Sequence, residues 1–235
     1  MKKSDLHKKK LPDTPGVYFF LDGKKRILYI GKATSLRGRV KSYFVKDLID
    51  TRGPQIVKMV EEAKYLDYRE CDSVLEALIL EANLIKTHKP KYNTLLKDDK
   101  SYNFVVITAE DIPRVLKVRG KDLSSNFDKK IIKKVFGPFP HGAQLTEGLK
   151  ILRKIFPFFD TKKPVKDTLK KHSKMESGKI RFYQSLGIYP AFGENDSVLF
   201  EKEYQKTIRH ISLFFQGKKN KLIEELKKEM HVYAQ

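Results

Sequence analysis

Apolar residues in the first hundred positions change spacing several times, and each change marks a predicted element. Two short apolar runs, at 15–21 and 27–31, are separated by a polar Asp-Gly-Lys-Lys segment, which predicts a β-hairpin. Apolar positions then recur at helical spacing, and a short run at 65–70 is typical of a third strand. The helical spacing predicts three helices, at 34–43, 54–64 and 73–86. The Lys-Pro dipeptide at 89–90 ends the last of them.

The second half of the chain continues this mixture with a weaker pattern. Apolar runs at 104–108 and 115–119 predict strands, the Gly-Pro-Phe-Pro sequence at 137–140 predicts a turn, and 143–156 predicts a helix. Residues 160–178 are lysine-rich and weakly apolar, which predicts a linker or a mobile segment. A helical hairpin broken at Gly217 follows, with helices at 199–215 and 219–231. Together these elements predict an α+β protein.

Basic residues outnumber acidic ones, and this excess indicates the kind of partner that the protein binds. The 235 residues include 49 Lys and Arg against 29 Asp and Glu, for a formal net charge of +20. Such an excess predicts a polyanionic partner, most often nucleic acid. The alternative is a lysine-rich proteome, in which solvated surfaces become basic without any specific partner.

Composition also excludes some kinds of cysteine site and indicates the cellular compartment of the protein. The only cysteine is Cys71, so a disulfide framework and a four-cysteine zinc or iron–sulfur site are excluded. Cys71 follows a predicted strand and is expected to be a small core residue. No apolar run approaches the ~18 residues of a membrane span, and the charged start is unlike a signal segment. We therefore expect a soluble, cytoplasmic protein without a membrane partner.

One carboxylate is predicted to point into the core. At about 100° per residue, Glu81 lies in the apolar stripe of helix 73–86 together with Val74, whereas Glu76 and Ile79 share a more exposed face. A buried carboxylate is costly unless it is paired or bound to a metal. An ion pair with a lysine or arginine is the ordinary explanation. The other is a hard cation such as Mg²⁺, which often takes one or two carboxylates and keeps its waters.

Other polar residues near this helix also have ordinary explanations. Tyr18 and Tyr29 are typical strand aromatics, Lys32 and Arg39 are typical solvated charges, and Asn93 is a typical turn initiator. A functional interpretation therefore depends on their joint spacing and on no single residue.

That joint spacing has a recognisable form. Residues 16–18 are Gly-Val-Tyr, residues 29–33 are Tyr-Ile-Gly-Lys-Ala, and residues 36–39 are Leu-Arg-Gly-Arg. These motifs resemble the GIY-YIG endonucleases, with valine in place of the usual isoleucine. The segment 83–102, which includes Lys-Pro-Lys-Tyr-Asn at 89–93, narrows the resemblance to the N-terminal half of UvrC, the incision subunit of bacterial nucleotide excision repair. The resemblance covers roughly residues 11–160.

The resemblance implies catalytic roles for the motif residues. Tyr29 would help to deprotonate the attacking water, directly or through its hydrogen bonds. Tyr18 and Lys32 would hold the phosphate, Arg39 would stabilise charge on the phosphoryl oxygens, and Asn93 would help to position the site. We expect nearby positive charge to lower the pKa of the tyrosine base, because cations favour the phenolate.

The resemblance also implies a metal and a DNA surface. Glu81 would be the protein ligand of a single Mg²⁺ or Mn²⁺. The expected DNA-binding residues are Lys32, Arg37, Lys41, Tyr43, Lys91, Lys97 and Lys100. The implied partners are double-stranded DNA that is damaged or distorted and a UvrB-like helicase subunit.

Four regions follow from the resemblance: a GIY-YIG nuclease domain at 1–97, a UvrC-like α/β extension at 98–160, a partly mobile segment at 161–198 and the helical hairpin at 199–235. The third corresponds to the cysteine-rich segment of the family but lacks cysteine, so no iron–sulfur cluster is expected. We expect either a truncated chain or a stand-alone relative comparable to the Cho nucleases.

The implied function is a structure- or damage-directed DNA endonuclease that uses one divalent metal, making the 3′ incision of nucleotide excision repair. Two alternatives stay open at this point. One is a non-catalytic DNA-binding or scaffold module with the same fold, and the other is a GIY-YIG nuclease that acts on branched DNA or RNA.

Overall fold

The computed structural model describes residues 10–45, 47–95, 102–125, 129–166, 174–191 and 197–233. The chain divides into two compact units, Met1–Asp99 and Lys100–Gln235. Both units combine an antiparallel three-stranded sheet with helices, so the predicted α+β class is confirmed. Lys97 and Lys100, two of the expected DNA-binding residues, lie outside the described residues.

The first unit is built on the predicted hairpin. Strands β1 (Gly16–Leu21), β2 (Ile27–Ala33) and β3 (Tyr65–Glu70) form an antiparallel sheet in the order β2-β1-β3. Because β1 is central, the residues opposite it on β2 are fixed in register, and Tyr18 lies across from Gly31. The described helices of this unit are α1 (Leu36–Lys41), α2 (Leu48–Arg52), α3 (Pro54–Glu62), α4 (Val74–His88) and α5 (Lys91–Leu95).

Helices cover both faces of this sheet. On one face, Val17 and Ile30 pack with Cys71 and with Ala77 of α4, so the predicted core role of Cys71 is confirmed. On the opposite face, alternate strand residues such as Tyr18 pack against α1, α3 and α5. Strand alternation therefore directs the motif tyrosine towards α1 and leaves the other face to α4.

Side-chain caps fix where α1 and α4 begin. The Ser35 side chain accepts a hydrogen bond from the Gly38 N–H at 3.0 Å, and Ser73 accepts one from the Glu76 N–H at 3.1 Å. The Glu76 carboxylate also accepts the Asp72 N–H at 2.9 Å, which ties the residue before the N-cap to the first turn. The start of α4 fixes the rotational phase of Glu81, two turns further along.

The second unit contains a sheet of β4 (Asn103–Thr108), β5 (Val115–Arg119) and β6 (Ile132–Phe139) in the order β5-β4-β6. Its described helices are α6 (Gly120–Ser125), α7 (Gly142–Ile155), α8 (Lys174–Ser185), α9 (Ser197–Phe215) and α10 (Lys219–Tyr233). Helices α9 and α10 contact each other and Gly217 between them has a φ of 71°, so the predicted hairpin is confirmed.

The predicted turn at 137–140 is wrong, because these residues belong mainly to strand β6. Pairing with β4 shifts between the partners Val105↔Phe136 and Asn103↔Phe139, so Gly137 lies in a bulge. Proline is tolerated at bulges and on edge strands, and β6 is an edge strand. The Gly-Pro pair therefore marks an irregularity within the strand.

The predicted linker at 160–178 is wrong at its C-terminal end, where α8 begins at Lys174. At the N-terminal end, Val165 is buried and the Lys166 ammonium pairs with Asp111 at 2.9 Å and Glu201 at 3.0 Å. Lysines that form ion pairs anchor a segment whose composition alone is typical of a linker. Residues 167–173 lie outside the described residues. In the described parts of the chain, no helix is long and apolar enough to cross a bilayer.

Candidate active site

Three phenol rings meet on the α1 side of the first sheet. The hydroxyls of Tyr18 and Tyr43 lie 2.7 Å apart and form a buried hydrogen bond. The Tyr29 ring centroid lies 6.3 Å from that of Tyr18 and 6.4 Å from that of Tyr43. The hairpin register supplies Tyr18 and Tyr29, and the residues that follow α1 supply Tyr43.

This packing explains the glycine of the second motif. A Cβ atom on Gly31 would lie 2.2 Å from the Tyr18 hydroxyl oxygen, so only glycine leaves room for the ring. Gly16 is constrained in the same way, because a Cβ atom there would lie 2.4 Å from the carbonyl oxygen of Arg69. Both glycines are therefore steric requirements of the site.

Two arginines border the tyrosine cluster. The Arg39 Nε donates to the Tyr18 hydroxyl at 3.3 Å, and its guanidinium is half-buried. The Arg52 guanidinium carbon lies 4.4 Å from the Tyr43 ring centroid, and Arg52 donates to the Ser42 hydroxyl at 2.8 Å. Sequence reasoning missed Arg52, because it belongs to helix α2, for which no helix was predicted.

Glu81 is buried, as the helical spacing predicts, with only 4% of its surface exposed. Its Oε1 accepts the Lys32 backbone N–H at 2.9 Å. Its Oε2 is buried and has no hydrogen-bond partner among the described residues. The assignment of its neighbours is partly wrong, since Ile79 is buried and Val74 is exposed. The cause is that α4 packs against both β1 and β2, which covers a wider stripe than one face.

The surroundings of Glu81 favour a neutral carboxyl when no cation is bound. Burial raises the pKa of Glu81 to about 7, although the Lys32 charge, the Lys32 backbone hydrogen bond and the Arg39 charge each lower it. A bound cation would reverse this balance, because it favours the carboxylate.

A divalent metal fits this carboxylate. Its unpartnered oxygen needs a positive or hydrogen-bonding group, and a hard cation binds carboxylate oxygen. Among the described residues, no group of three or more His, Cys, Asp and Glu side chains is arranged so that it could hold a metal ion. One protein ligand is compatible with Mg²⁺, which often keeps several waters, and less so with metals that need a full cage of side chains.

Asn93 connects the site to the edge of the sheet. Its Oδ1 accepts the Ile30 N–H at 2.8 Å and its Nδ2 donates to the Ile30 carbonyl at 2.8 Å. The Asn93 amide therefore makes the same pair of backbone hydrogen bonds that a neighbouring strand would make with Ile30. Asn93 lies in helix α5, although the sequence alone indicates a turn initiator at this position.

Comparison with known proteins identifies this arrangement. Residues 14–94 match the UvrC-like GIY-YIG domain. The chain belongs to the UvrC family of GIY-YIG proteins. The UvrABC system protein C of Caldanaerobacter subterraneus subsp. tengcongensis is 37% identical over 231 residues, which are 96% of this chain and 34% of that protein. The Clostridioides difficile protein of the same name is 37% identical over 228 residues, 96% of this chain and 35% of that protein.

The chain thus spans about a third of the length of these UvrC relatives. A solved structure also matches: the GIY-YIG N-terminal endonuclease domain of UvrC from Thermotoga maritima, bound to magnesium as its catalytic divalent cation. It is 39% identical, covers 40% of this chain and 99% of that domain, and has a TM-score of 0.34.

The expected lowering of the tyrosine pKa is wrong for this UvrC-like site without a cation. Burial raises the pKa of Tyr29 well above its usual range, the Tyr43 charge and hydrogen bond raise it further, and Arg39 lowers it by less. Burial likewise raises the pKa of Tyr18. Desolvation outweighs the charge of Arg39, and both phenols are protonated at neutral pH.

The expected DNA-binding residues occupy different environments. Lys32 is half-buried beside Glu81, Lys41 is exposed, and the exposed Arg37 donates from its Nε to the Leu11 carbonyl at 3.0 Å. Lys91 pairs with Glu62 at 2.7 Å, which neutralises part of its charge. The structure thus brings Lys32 to the tyrosine site and leaves Lys91 engaged elsewhere.

Proposed function

We propose that the first unit is a metal-dependent DNA endonuclease of nucleotide excision repair. The observation that carries the proposal is the buried, unpartnered Oε2 of Glu81, next to the charges of Lys32 and Arg39. Family membership supports a phosphodiester as the substrate, and the net charge of +20 supports a nucleic acid.

Each side chain has a distinct part in the proposed hydrolysis. Arg39 and Lys32 bind the non-bridging phosphoryl oxygens and stabilise the charge that grows on them. Tyr29 orients the attacking water by hydrogen bonding, because its raised pKa makes it a poor base in the resting protein. Tyr18 keeps Arg39 in place through its hydroxyl.

Glu81 would hold Mg²⁺ or Mn²⁺, and that ion supplies Lewis-acid stabilisation of the phosphoryl group. Asn93 acts as a positioning residue, since both polar atoms of its amide bind the Ile30 backbone.

The finer details of the proposal come from the family. We assign the 3′ incision to this unit, with damaged or distorted duplex as substrate. The relatives are named as component C of the UvrABC system, so a UvrB-like protein is the proposed partner. Cleavage of branched DNA or RNA is the competing proposal, and comparison of these substrates would separate the two.

The test is a metal-dependent nicking assay on Glu81→Gln, with Glu76→Gln as the matched control. Both variants replace one carboxyl group of α4 with an amide, and glutamine at 76 can still accept the Asp72 N–H. We expect Glu81→Gln to slow cleavage at least about 100-fold while duplex binding is retained, and Glu76→Gln to cleave normally. Wild-type cleavage by Glu81→Gln in Mg²⁺ would contradict the metal role.

A second assay distinguishes the enzyme from a binding module. Wild-type protein is incubated with damaged, nicked and intact duplex, with and without Mg²⁺, and each cut is mapped relative to the lesion. Metal-dependent cuts on the 3′ side are expected. Binding without any cleavage in Mg²⁺ or Mn²⁺ would favour the non-catalytic alternative.

A further inference from the structure

The second unit contains two adjoining cavities that have no part in the proposed nuclease site. Their volumes are about 780 and 830 Å³, and Asp160, Thr161 and Lys162 line both of them. The two cavities therefore adjoin at these three residues, and we refer to them together as the groove. Volumes of this size are typical of pockets that enclose a small organic molecule or a part of a polymer.

The wall of the first cavity is strongly basic. Its charged lining residues are Lys150, Arg153, Lys154, Lys162, Lys163, Lys179 and Asp160. The single carboxylate, Asp160, is already engaged, because it pairs with Arg153 at 2.5 Å and accepts a hydrogen bond from the Tyr189 hydroxyl at 2.7 Å. The wall therefore presents a net positive charge that favours an anionic ligand.

The Arg153 side chain is fixed within this wall. Its guanidinium carbon lies 4.3 Å from the Phe158 ring centroid, which holds the side chain in place. Its Nε is buried and has no hydrogen-bond partner among the described residues. That N–H is closed off from the cavity, but 19% of the Arg153 side chain is exposed, and its charge adds to the positive potential of the wall.

An aromatic ring stands among these charges. Tyr183 lines the cavity, with its ring centroid 5.2 Å from that of Tyr189 and 5.7 Å from the Lys179 ammonium. Basic groups interleaved with an accessible aromatic ring are typical of surfaces that bind single strands, because phosphates contact the cations and unpaired bases stack on the ring.

We propose that this groove binds a single strand of nucleic acid, with phosphates on Lys154 and Lys179 and a base on Tyr183. A paired base cannot stack on a ring inside a cavity, so the geometry favours a single strand over a duplex. The proposal does not depend on cleavage by the first unit.

The first test measures salt dependence with the full chain in EDTA, using a labelled 15-nucleotide oligothymidylate. The slope of log K against log salt is negative, and each lost phosphate contact makes it less negative by about 0.7 for a single strand. Lys154→Gln/Lys179→Gln should therefore flatten the slope by about 1.4, equivalent to a roughly 25-fold greater loss of affinity at 0.1 M than at 1 M salt.

The matched control is Lys227→Gln/Lys228→Gln, which removes the same charge from exposed positions of α10 outside both cavities. It should leave the slope nearly unchanged. Equal slopes for the two double variants would overturn the proposal, since general electrostatics would then explain the binding.

The second test examines stacking. Tyr183→Leu should weaken oligothymidylate binding by about 5- to 100-fold, whereas Tyr183→Phe and the neighbouring Phe182→Leu should not. A duplex or inorganic phosphate that binds with the same dependence on these variants would overturn the single-strand assignment. Parallel titrations with oligothymidylate and oligouridylate then distinguish DNA from RNA as the strand.

Discussion

The hydroxyl of Tyr18 occupies the space that a side chain at residue 31 would fill. We expect Gly31→Ala to destabilise the first unit by about 2 kcal/mol, the usual cost of overpacking a core. The ring cannot easily move aside, because Tyr18 is fully buried and its hydroxyl bonds to Tyr43 and Arg39. Chemical denaturation would measure the loss.

Gly23→Ala is the control for this change. A Cβ atom on Gly23, in the hairpin turn, would meet only the Lys64 Cγ at 3.8 Å, which is an ordinary contact. Equal stability of the two alanine variants would show that Tyr18 is not constrained as the structure indicates.

Glu81 makes the stability of the first unit depend on pH. Its pKa is about 7 in the folded protein against an ordinary 4.5, so between these values the folded state holds a proton that the unfolded state has released. Without metal, stability should therefore fall as pH rises from 4.5 to 7, by up to about 3 kcal/mol, and then level off.

Glu81→Gln isolates this effect because glutamine does not titrate and can still accept the Lys32 N–H. We expect the difference in unfolding free energy between wild type and variant, measured in EDTA, to change across pH 4.5–7. A constant difference would show that the carboxyl is not desolvated.

Residue-scale predictions from the sequence succeeded where helical geometry alone decides. The burial of Glu81 follows from the period of α4, so it was predicted correctly. The shift in the pKa of Tyr29 was predicted in the wrong direction. Its sign depends on burial of the ring and on its contact with Tyr43, which only the packed structure reveals. Arg52 was missed as well, because its helix was not predicted and its contact with Tyr43, in the residues after α1, is made only in the packed structure.

At the scale of elements, β2 is an edge strand, and the Asn93 side chain makes hydrogen bonds to its exposed backbone. Because Asn93 makes both hydrogen bonds to Ile30, Asn93→Ala should lower the stability of the first unit by about 1–3 kcal/mol. Hydrogen exchange should show faster exchange of the Ile30 amide, while the Tyr18 amide on the central strand stays protected. Unchanged protection at Ile30 would contradict the positioning role of Asn93.

The sequence predicted elements well where a single pattern dominated. Strand β3 comes from a distinct short run, and helix α4 has helical spacing and a capping serine at residue 73, so both were found near their predicted bounds. Strand β6 was mistaken for a turn, because Gly137 and Pro138 are turn residues that the partner strand accommodates in a bulge. Short helices such as α2 and α5 depend on packing and carry little pattern of their own.

For the whole molecule, the charge excess of 49 basic over 29 acidic residues should dominate duplex binding. If six to ten phosphates are contacted, log K should fall against log salt with a slope of roughly −5 to −9. Fluorescence anisotropy in EDTA would measure this slope without cleavage. A flat response would contradict a polyanionic partner.

Individual lysines should then differ in their share of that slope according to their neighbours. Lys41 is exposed, and Lys41→Gln should flatten the slope by about 0.9 if it contacts a phosphate. Lys91 already pairs with Glu62 at 2.7 Å, so a phosphate would have to displace that carboxylate and Lys91→Gln should have a smaller effect. If Lys91→Gln instead flattens the slope as much as Lys41→Gln does, the Lys91–Glu62 pair must open on DNA, and the duplex must reach helix α5.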